Sequence, residues 1–406
     1  MWRQQSVHTK GDTEFLADAI IRVQGDASLI TLADATLDEA SASEPLLAQA
    51  FKTPQSPPHH SEGPFVHDHL QLLLTVLYAI TEERLHLIDI EEFRAMKGYE
   101  GEIDEMEEMI KENIGLFETF ALCHDAAKWA CVKFEAPAGS RGEALGFTVS
   151  LSDHWSESAH VENTAARTKY LDLYESFAHG HRQESPREVF LLFYETYKIR
   201  CKFPGHARAV HTSAYRDLLR RVGAARRLPD RDLELLEDLI GLHLEPITDF
   251  ASKVAPSRIG RYVRVAASRG YDADDFLDLL QACVFLDLTC ASKRMDGRGG
   301  LWHEFDVTRN FLKSEHDYAP QKRVQKLTVR EERLKARERA WLREVGLDGV
   351  SLMDLLGMES GPAFGQALAS IQEAVHFGGA LPRFGGVKDD ELRARAEKFS
   401  TMAGHL

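Results

Sequence analysis

The chain lacks paired thiolate spacing. Its five cysteines, Cys123, Cys131, Cys201, Cys283 and Cys290, fall without a CxxC motif. That spacing excludes a thiolate zinc site and predicts reduced, mostly buried thiols in a cytoplasmic setting. Long apolar runs are also missing. No stretch reaches the roughly 20 uninterrupted apolar residues a membrane span needs, and the opening "MWRQQSVHTKGDTEF" has no apolar centre of the kind a secretory signal requires. Positive charge is in deficit, with 49 Lys and Arg against 64 Asp and Glu, a formal net charge of −15. A protein that grips long nucleic acid through many phosphates carries the opposite balance, so long DNA is not expected as a partner. Sustained heptads, low-complexity tracts and a convincing set of strands are absent too.

What is present is helical pattern over most of the 406 residues, enough chain for a substantial core. The first 50 or so residues, with "DASLITLADATL" and then "DEASASEP", read as a short strand or helix followed by a loop. The Pro-rich "KTPQSPPHH" marks a boundary, because proline cannot continue a helix interior. "HLQLLLTVLYAITEERL" is apolar nearly all round, as a buried helix should be. "EIDEMEEMIKENIGLFETFALCHDAAKWACVKF", "PREVFLLFYETYKIRCKF", "SAYRDLLRRVGAARRL", "PDRDLELLEDLIGLHL" and "DADDFLDLLQACVFLDLTCASKRM" continue the helical pattern. "TVREERLKARERAWLREVGL" carries acid–base pairs at helical spacing and reads as a solvated helix. "VSLMDLLGMESGPAFGQALASIQEAVHFGGALP" reads as two short helices separated by a Gly-Pro break. The fold class is all-α. The segment around 135–165 has no clear element.

Within these helices, costly polar side chains sit among apolar ones. His124 and Asp125 are adjacent inside "FALCHDAAKW". His67 and His69 open an apolar helix; His206 and His211 lie in "FPGHARAVH"; His243 lies in "LIGLHLEPI"; Asp287 interrupts "CVFLDLTCA". A buried carboxylate is normally paired, hydrogen-bonded or bound to metal. Imidazole and carboxylate ligands suit first-row divalent ions and can converge from several helices in a bundle core. Such an ion neutralises buried acids and lowers the pKa of a bound water. His211 is expected to be non-catalytic. Each of these residues has an ordinary alternative as a hydrogen-bonded core or surface side chain.

The order His…His-Asp…His…His…Asp resembles the HD-domain metal-dependent phosphohydrolases, and more closely the HD domain of bacterial tRNA nucleotidyltransferases. The resemblance rests on "PQSPPHHSEGPFVHDHLQLLL", "LCHDAAK", "PGHARAV" and "LEDLIGLHLEPI", and extends to the tail "GVSLMDLLGMESGPAFGQALASIQEAVHFGG". It implies an HD-domain helical bundle over 59–300 with a long insertion at 132–200, preceded by an N-terminal segment (1–58) and followed by a C-terminal helical extension (301–406). The about 55 residues ahead of the HD region are too few for a nucleotidyltransferase head, so nucleotide addition is not expected. Counting from Glu62-Gly63 lands the family histidine on Asp68, so a one-residue shift selects His67 or His69; His69 is preferred because the uninterrupted apolar helix starts after it. Aligning "GRGG" by its glycines puts Arg294 at the family's aspartate, which leaves Asp287 as the choice and Asp296 as the alternative.

On this resemblance His69, His124, Asp125 and Asp287 hold a first divalent ion (Mn²⁺, Ni²⁺, Mg²⁺ or Fe²⁺), with Asp125 able to bridge to a second. His206 and His243 complete a second position or contact phosphate. Lys128, Arg208 and Arg298 are the candidates for binding the substrate phosphate, with Asp125 and Lys128 as the catalytic pair. The implied activity is hydrolysis of a phosphomonoester or cyclic phosphodiester of a small molecule, nucleotide or RNA end. The alternatives are a metal-free RNA- or protein-binding module and a di-iron oxygenase. The basic stretches "RDLLRRVGAARR" and "SRIGRYVRVAASR" are candidates for an RNA-end face.

Overall fold

The computed structural model describes residues 14–57, 60–148, 157–290, 293–294, 301–302, 305–319, 335–336, 339–377 and 380–403. Over these residues the protein is all-α, with two short two-stranded ribbons as its only sheets. Contacts divide it into a large unit, Thr13–Arg323, and a smaller one containing Val324–Leu406.

The large unit opens with helices α1 (Leu16–Gln24), α2 (Ala27–Ser43) and α3 (Pro45–Ala50). Asp26 starts α2 by accepting from the backbone N–H groups of Ser28 and Leu29. The strand-or-helix choice for "DASLITLADATL" thus resolves as helix. The "DEASAS" expected as loop continues that helix, because Leu29, Ala33, Leu37 and Ala40 form one buried stripe of small and apolar residues. The Pro-rich segment that follows is not an exposed linker: Thr53, Gln55 and Ser56 are buried, and the Gln55 side-chain amide donates to the Phe65 carbonyl.

Helix α4 (Val66–Thr81) runs through the centre of the core against α2 and the helix at Ile114–Cys123. After a short helix α5 (Glu91–Arg94) come α6 (Glu100–Glu112), α7 (Ile114–Cys123) and α8 (Lys128–Cys131). The Pro204–His211 segment, ending in a 3₁₀ turn at Ala207–His211, leads into the later helices. A long apolar helix (Ala273–Cys290) packs on α4 and α6, and a helix at Asp306–Tyr318 packs on the one at Pro256–Arg269.

Between Cys131 and Ala207 the chain makes a subdomain with its own core. Strand β1 (Lys133–Glu135) pairs antiparallel with β2 (Arg200–Lys202), in register Phe134 to Cys201. Between them lie α9 (Arg141–Ala144), α10 (Glu157–Gly180) and α11 (Pro186–Tyr197). Ser185 and Glu188 form a reciprocal cap at the start of α11, with Pro186 at its first position. Phe134, Phe147, Tyr170, Tyr174, Phe190 and Phe193 build the core of this subdomain. It is tied to the Pro-rich segment: Cys201 N–H donates to Ser56 Oγ, and Arg187 donates to the Ser61 carbonyl.

The remaining helices of the large unit are α12 (Ser213–Ala225), α13 (Asp230–Leu242), α14 (Glu245–Phe250), α15 (Pro256–Arg269), α16 (Ala273–Cys290) and α17 (Asp306–Tyr318). Two-residue strands β3 (Lys293–Arg294) and β4 (Leu301–Trp302) form the second ribbon. The contact boundary falls after α17, which belongs with the large unit.

The smaller unit contains α18 (Gly349–Leu356), α19 (Pro362–Phe377) and α20 (Val387–Ala403), packed through Leu347, Leu352, Leu356, Ile371, Leu392 and Phe399. The Gly-Pro break separates α18 from α19 as its sequence predicts. Most of the charged stretch "TVREERLKARER" lies outside the described residues. The described cysteines Cys123, Cys131, Cys201 and Cys283 are free and buried. Among the described residues no helix is long and apolar enough to cross a membrane.

Candidate metal centre

The histidine–aspartate pair does not lie inside a continuous helix. His124 is the C-terminal cap of α7, and the chain turns through Asp125–Ala127 before α8 begins at Lys128. His243 likewise caps the C-terminus of α13. His206 precedes the 3₁₀ turn at Ala207–His211, while His69 lies in the first turn of α4 and Asp287 in the body of α16. Helix ends let a ring turn inward without breaking a hydrogen-bonded ladder.

Five elements thereby bring six buried side chains together. His69, His124 and Asp287 form one group of converging ligand atoms, and Asp125, His206 and His243 form an adjoining one. Each of the six is no more than 8% exposed. His69 Nε2 is 3.1 Å and His124 Nε2 3.6 Å from Asp287 Oδ1. His206 Nε2 lies 3.3 Å from Asp125 Oδ1, and His124 Nε2 lies 3.5 Å from Asp125 Oδ2. His124 therefore sits between the two acids.

Three of the rings are aimed by their own backbone. His124 Nδ1 lies 3.0 Å from the Ala121 carbonyl, His206 Nδ1 2.8 Å from that of Phe203, and His243 Nδ1 2.6 Å from that of Ile240. A ring nitrogen facing a carbonyl carries a proton there, which in the neutral ring leaves Nε2 as a lone pair. The Nε2 atoms of His124, His206 and His243 are buried and have no hydrogen-bond partner. Buried lone pairs without donors are costly. A backbone-anchored Nδ1 with a free, inward Nε2 is also the arrangement that orients metal-ligating histidines. The donor set fits a divalent cation.

Electrostatics point the same way. Burial pushes the Asp125 carboxyl up, but Lys128, His124 and His206 outweigh it and hold it well below the usual range. Asp287 behaves alike, with burial opposed by His124 and His69. Burial pushes His243 down to about 4. Burial also disfavours charge on His69, yet Asp287 and Glu62 raise it to about 10. Two ionised acids thus hold a proton on His69, which supplies the positive charge the pocket calls for.

Lys128 Nζ is 2.6 Å from Asp125 Oδ2, 3.4 Å from His60 Nε2 and 5.0 Å from the Phe203 ring centre, and the side chain is buried. His60 and Glu62 are residues to which the sequence reading gave no role. Glu62 lies 2.8 Å from His60 Nδ1 and 3.4 Å from His69 Nδ1, so it orients His69 from behind. Both stood in the quoted "HHSEG" stretch, which was the available signal.

The structure separates the remaining candidates. His67 packs edge-on against Phe51 and belongs to none of the ligand groups, whereas His69 lies within them. Asp68, where the family count lands, accepts from the Phe65 N–H and fastens the start of α4. Arg208 is exposed on the 3₁₀ turn, and His211 pairs with Glu237 at 2.8 Å. Asp296 and Arg298 lie outside the described residues. Several arginines of the two basic stretches are engaged internally: Arg221 with Glu44, Arg226 with Glu118, Arg261 with Asp249 and Arg269 with Asp238.

No family model matches the chain, and neither the curated proteins nor the solved structures contain a match.

Proposed function

We propose that the protein is a metal-dependent phosphohydrolase of the HD type, acting on a phosphomonoester or cyclic phosphodiester of a nucleotide or RNA end. The observation that carries this reading is the convergence of His69, His124, Asp125, His206, His243 and Asp287, with the buried Nε2 atoms of His124, His206 and His243 lacking a hydrogen-bond partner.

These six residues would hold one or two divalent ions. When bound, such ions supply Lewis-acid charge and a water acidic enough to serve as nucleophile near neutral pH. Hydrolysis then adds water across a P–O bond: the water oxygen bonds to phosphorus, and the ester oxygen leaves and takes up a proton. Lys128 holds its ammonium against Asp125, where it fixes that carboxylate and offers positive charge to phosphoryl oxygens as charge develops on them. Glu62 keeps His69 turned inward. Burial of the cluster limits water and strengthens each of these interactions.

Asp287 beside His69 and His124 supports an intact ligand set over a degenerate binding module. The adjoining ligand triads favour a second reading, a di-iron oxygenase, since each triad can hold one ion. A metal-by-substrate screen separates the two. Purified protein loaded with Mn²⁺, Ni²⁺, Mg²⁺ or Fe²⁺ is assayed on generic phosphatase and cyclic-nucleotide probes, and for oxygen consumption with iron. Phosphate-ester hydrolysis supports the first reading; no hydrolysis with any metal, together with oxygen-dependent turnover of the iron form, replaces it with the second.

A further inference from the structure

Arg167, on the inserted helix α10, is a buried guanidinium at 5% exposure. Among the described residues no carboxylate pairs with it. Its Nη1 donates to the Trp129 carbonyl at 2.6 Å, its Nη2 lies 3.4 Å from Thr164 Oγ1, and its guanidinium carbon sits 3.8 Å from the centre of the Trp129 ring. Arginine cannot shed its proton in a protein, so the charge persists where water is largely excluded. A buried charge calls for a counter-charge, and neither a carbonyl nor an indole face supplies a full one.

Its position is specific. Trp129 directly follows Lys128, and α10 packs on α8, the helix that carries both. Tyr215, whose phenol feels the Arg167 charge, lines a small cavity together with His124 and His206. The guanidinium therefore touches the residue that directly follows Lys128, on the part of the chain that the HD resemblance leaves unexplained.

Resting on the phosphohydrolase reading, we propose that Arg167 binds a second phosphate of the substrate, so that the insertion selects phosphate esters bearing a further phosphate group over those with one. A 5′-phosphorylated nucleoside 2′,3′-cyclic phosphate and an oligonucleotide with a 2′,3′-cyclic end both meet that description. The planar fork of arginine suits two phosphate oxygens, and its stack on Trp129 presets its plane.

The test compares uridine 2′,3′-cyclic phosphate with its 5′-phosphorylated form and with the UpU dinucleotide ending in the same cyclic phosphate. The readout is the preference, the ratio of kcat/KM for a two-phosphate probe to that for the one-phosphate probe. Arg167→Ala is expected to lower the wild-type preference by about tenfold or more, mainly through KM, the scale of one hydrogen bond to a charged group. Arg167→Gln keeps a donor for the Trp129 carbonyl and is expected to lose the preference equally, and Arg167→Lys to recover part of it. It also carries the test if the alanine variant does not fold. Loss confined to the 5′-phosphorylated probe assigns the site to mononucleotides; loss confined to UpU assigns it to RNA ends. An unchanged preference in Arg167→Gln, or none in the wild type, overturns the proposal. If no probe is hydrolysed, the phosphohydrolase reading fails by itself. Calorimetric binding of the 5′-phosphorylated probe then decides: binding lost in Arg167→Gln supports the anion site, and binding that is absent from the wild type or equal in both overturns it.

Discussion

Replacing Asp125 with asparagine keeps the side chain's size and removes its charge. In the native protein this carboxylate is 1% exposed, with Oδ2 2.6 Å from the buried Lys128 ammonium and Oδ1 3.3 Å from His206 Nε2. The variant leaves an ammonium buried without an acid, and breaking one side of a buried ion pair costs about 3–5 kcal/mol. For a unit of this size that lowers Tm by roughly 10 °C. The same change removes a ligand from one triad and the acid nearest His124 in the other, so metal content and hydrolysis should both collapse. Adding Lys128→Met removes the stranded charge. The double variant should regain most of the lost Tm and none of the turnover, because its defect is then in metal binding alone. Melting of the chelated proteins, elemental analysis and the cyclic-nucleotide assay measure the three quantities. A single variant with native metal content and turnover, or a double variant no more stable than the single, would refute the reasoning.

Three further outcomes follow from the same geometry. His69 holds its proton up to about 10, so a metal ion must displace it: affinity should rise with pH between 6 and 9 by about tenfold per unit for one proton released, checked by calorimetry in buffers of different ionisation enthalpy, and a flat profile would contradict this. In the metal-free protein the raised value has the opposite sign: it stabilises the fold fully below the ordinary histidine pKa of 6.5, and that contribution fades as pH climbs through 10, so the chelated protein should melt earlier at pH 10 than at pH 6 by its share. A Cβ at Gly63 would lie 2.3 Å from Asp68 Cγ, so Gly63→Ala should displace the start of α4, cost about 1–3 kcal/mol and weaken metal retention through His69, whereas His67→Ala should retain metal.

The polar residues were legible in the sequence wherever their cost was. His124, Asp125 and Asp287 announced themselves because they interrupt apolar runs that burial explains. The choice between His67 and His69 was not legible from the family count, since it depends on the rotational phase of α4. The count fails because the residue it reaches, Asp68, is used to fasten the Phe65 N–H. Glu62 and His60 had no legible role because they stand in a loop, where periodicity carries no signal. The ribbon of β1 and β2 is three residues per strand, too short for alternation to register. The N-terminal helices were obscured by alanine and serine, which pack well in α2 without giving a strong apolar stripe. The buried charge of Arg167 had no sequence signature, because an arginine in a polar helix reads as solvated until its neighbours are known.

The central claim is that distant helices converge on a shared cation, and elemental analysis of protein purified without chelator tests it most directly. About one or two equivalents of a divalent transition metal or Mg²⁺ are expected in the wild-type protein, and loss of that metal in Asp125→Asn and Asp287→Asn variants that keep their helical content. Wild-type protein that takes up no stoichiometric metal, even after incubation with Mn²⁺, Ni²⁺, Mg²⁺ or Fe²⁺, or variants that retain it in full, would contradict it.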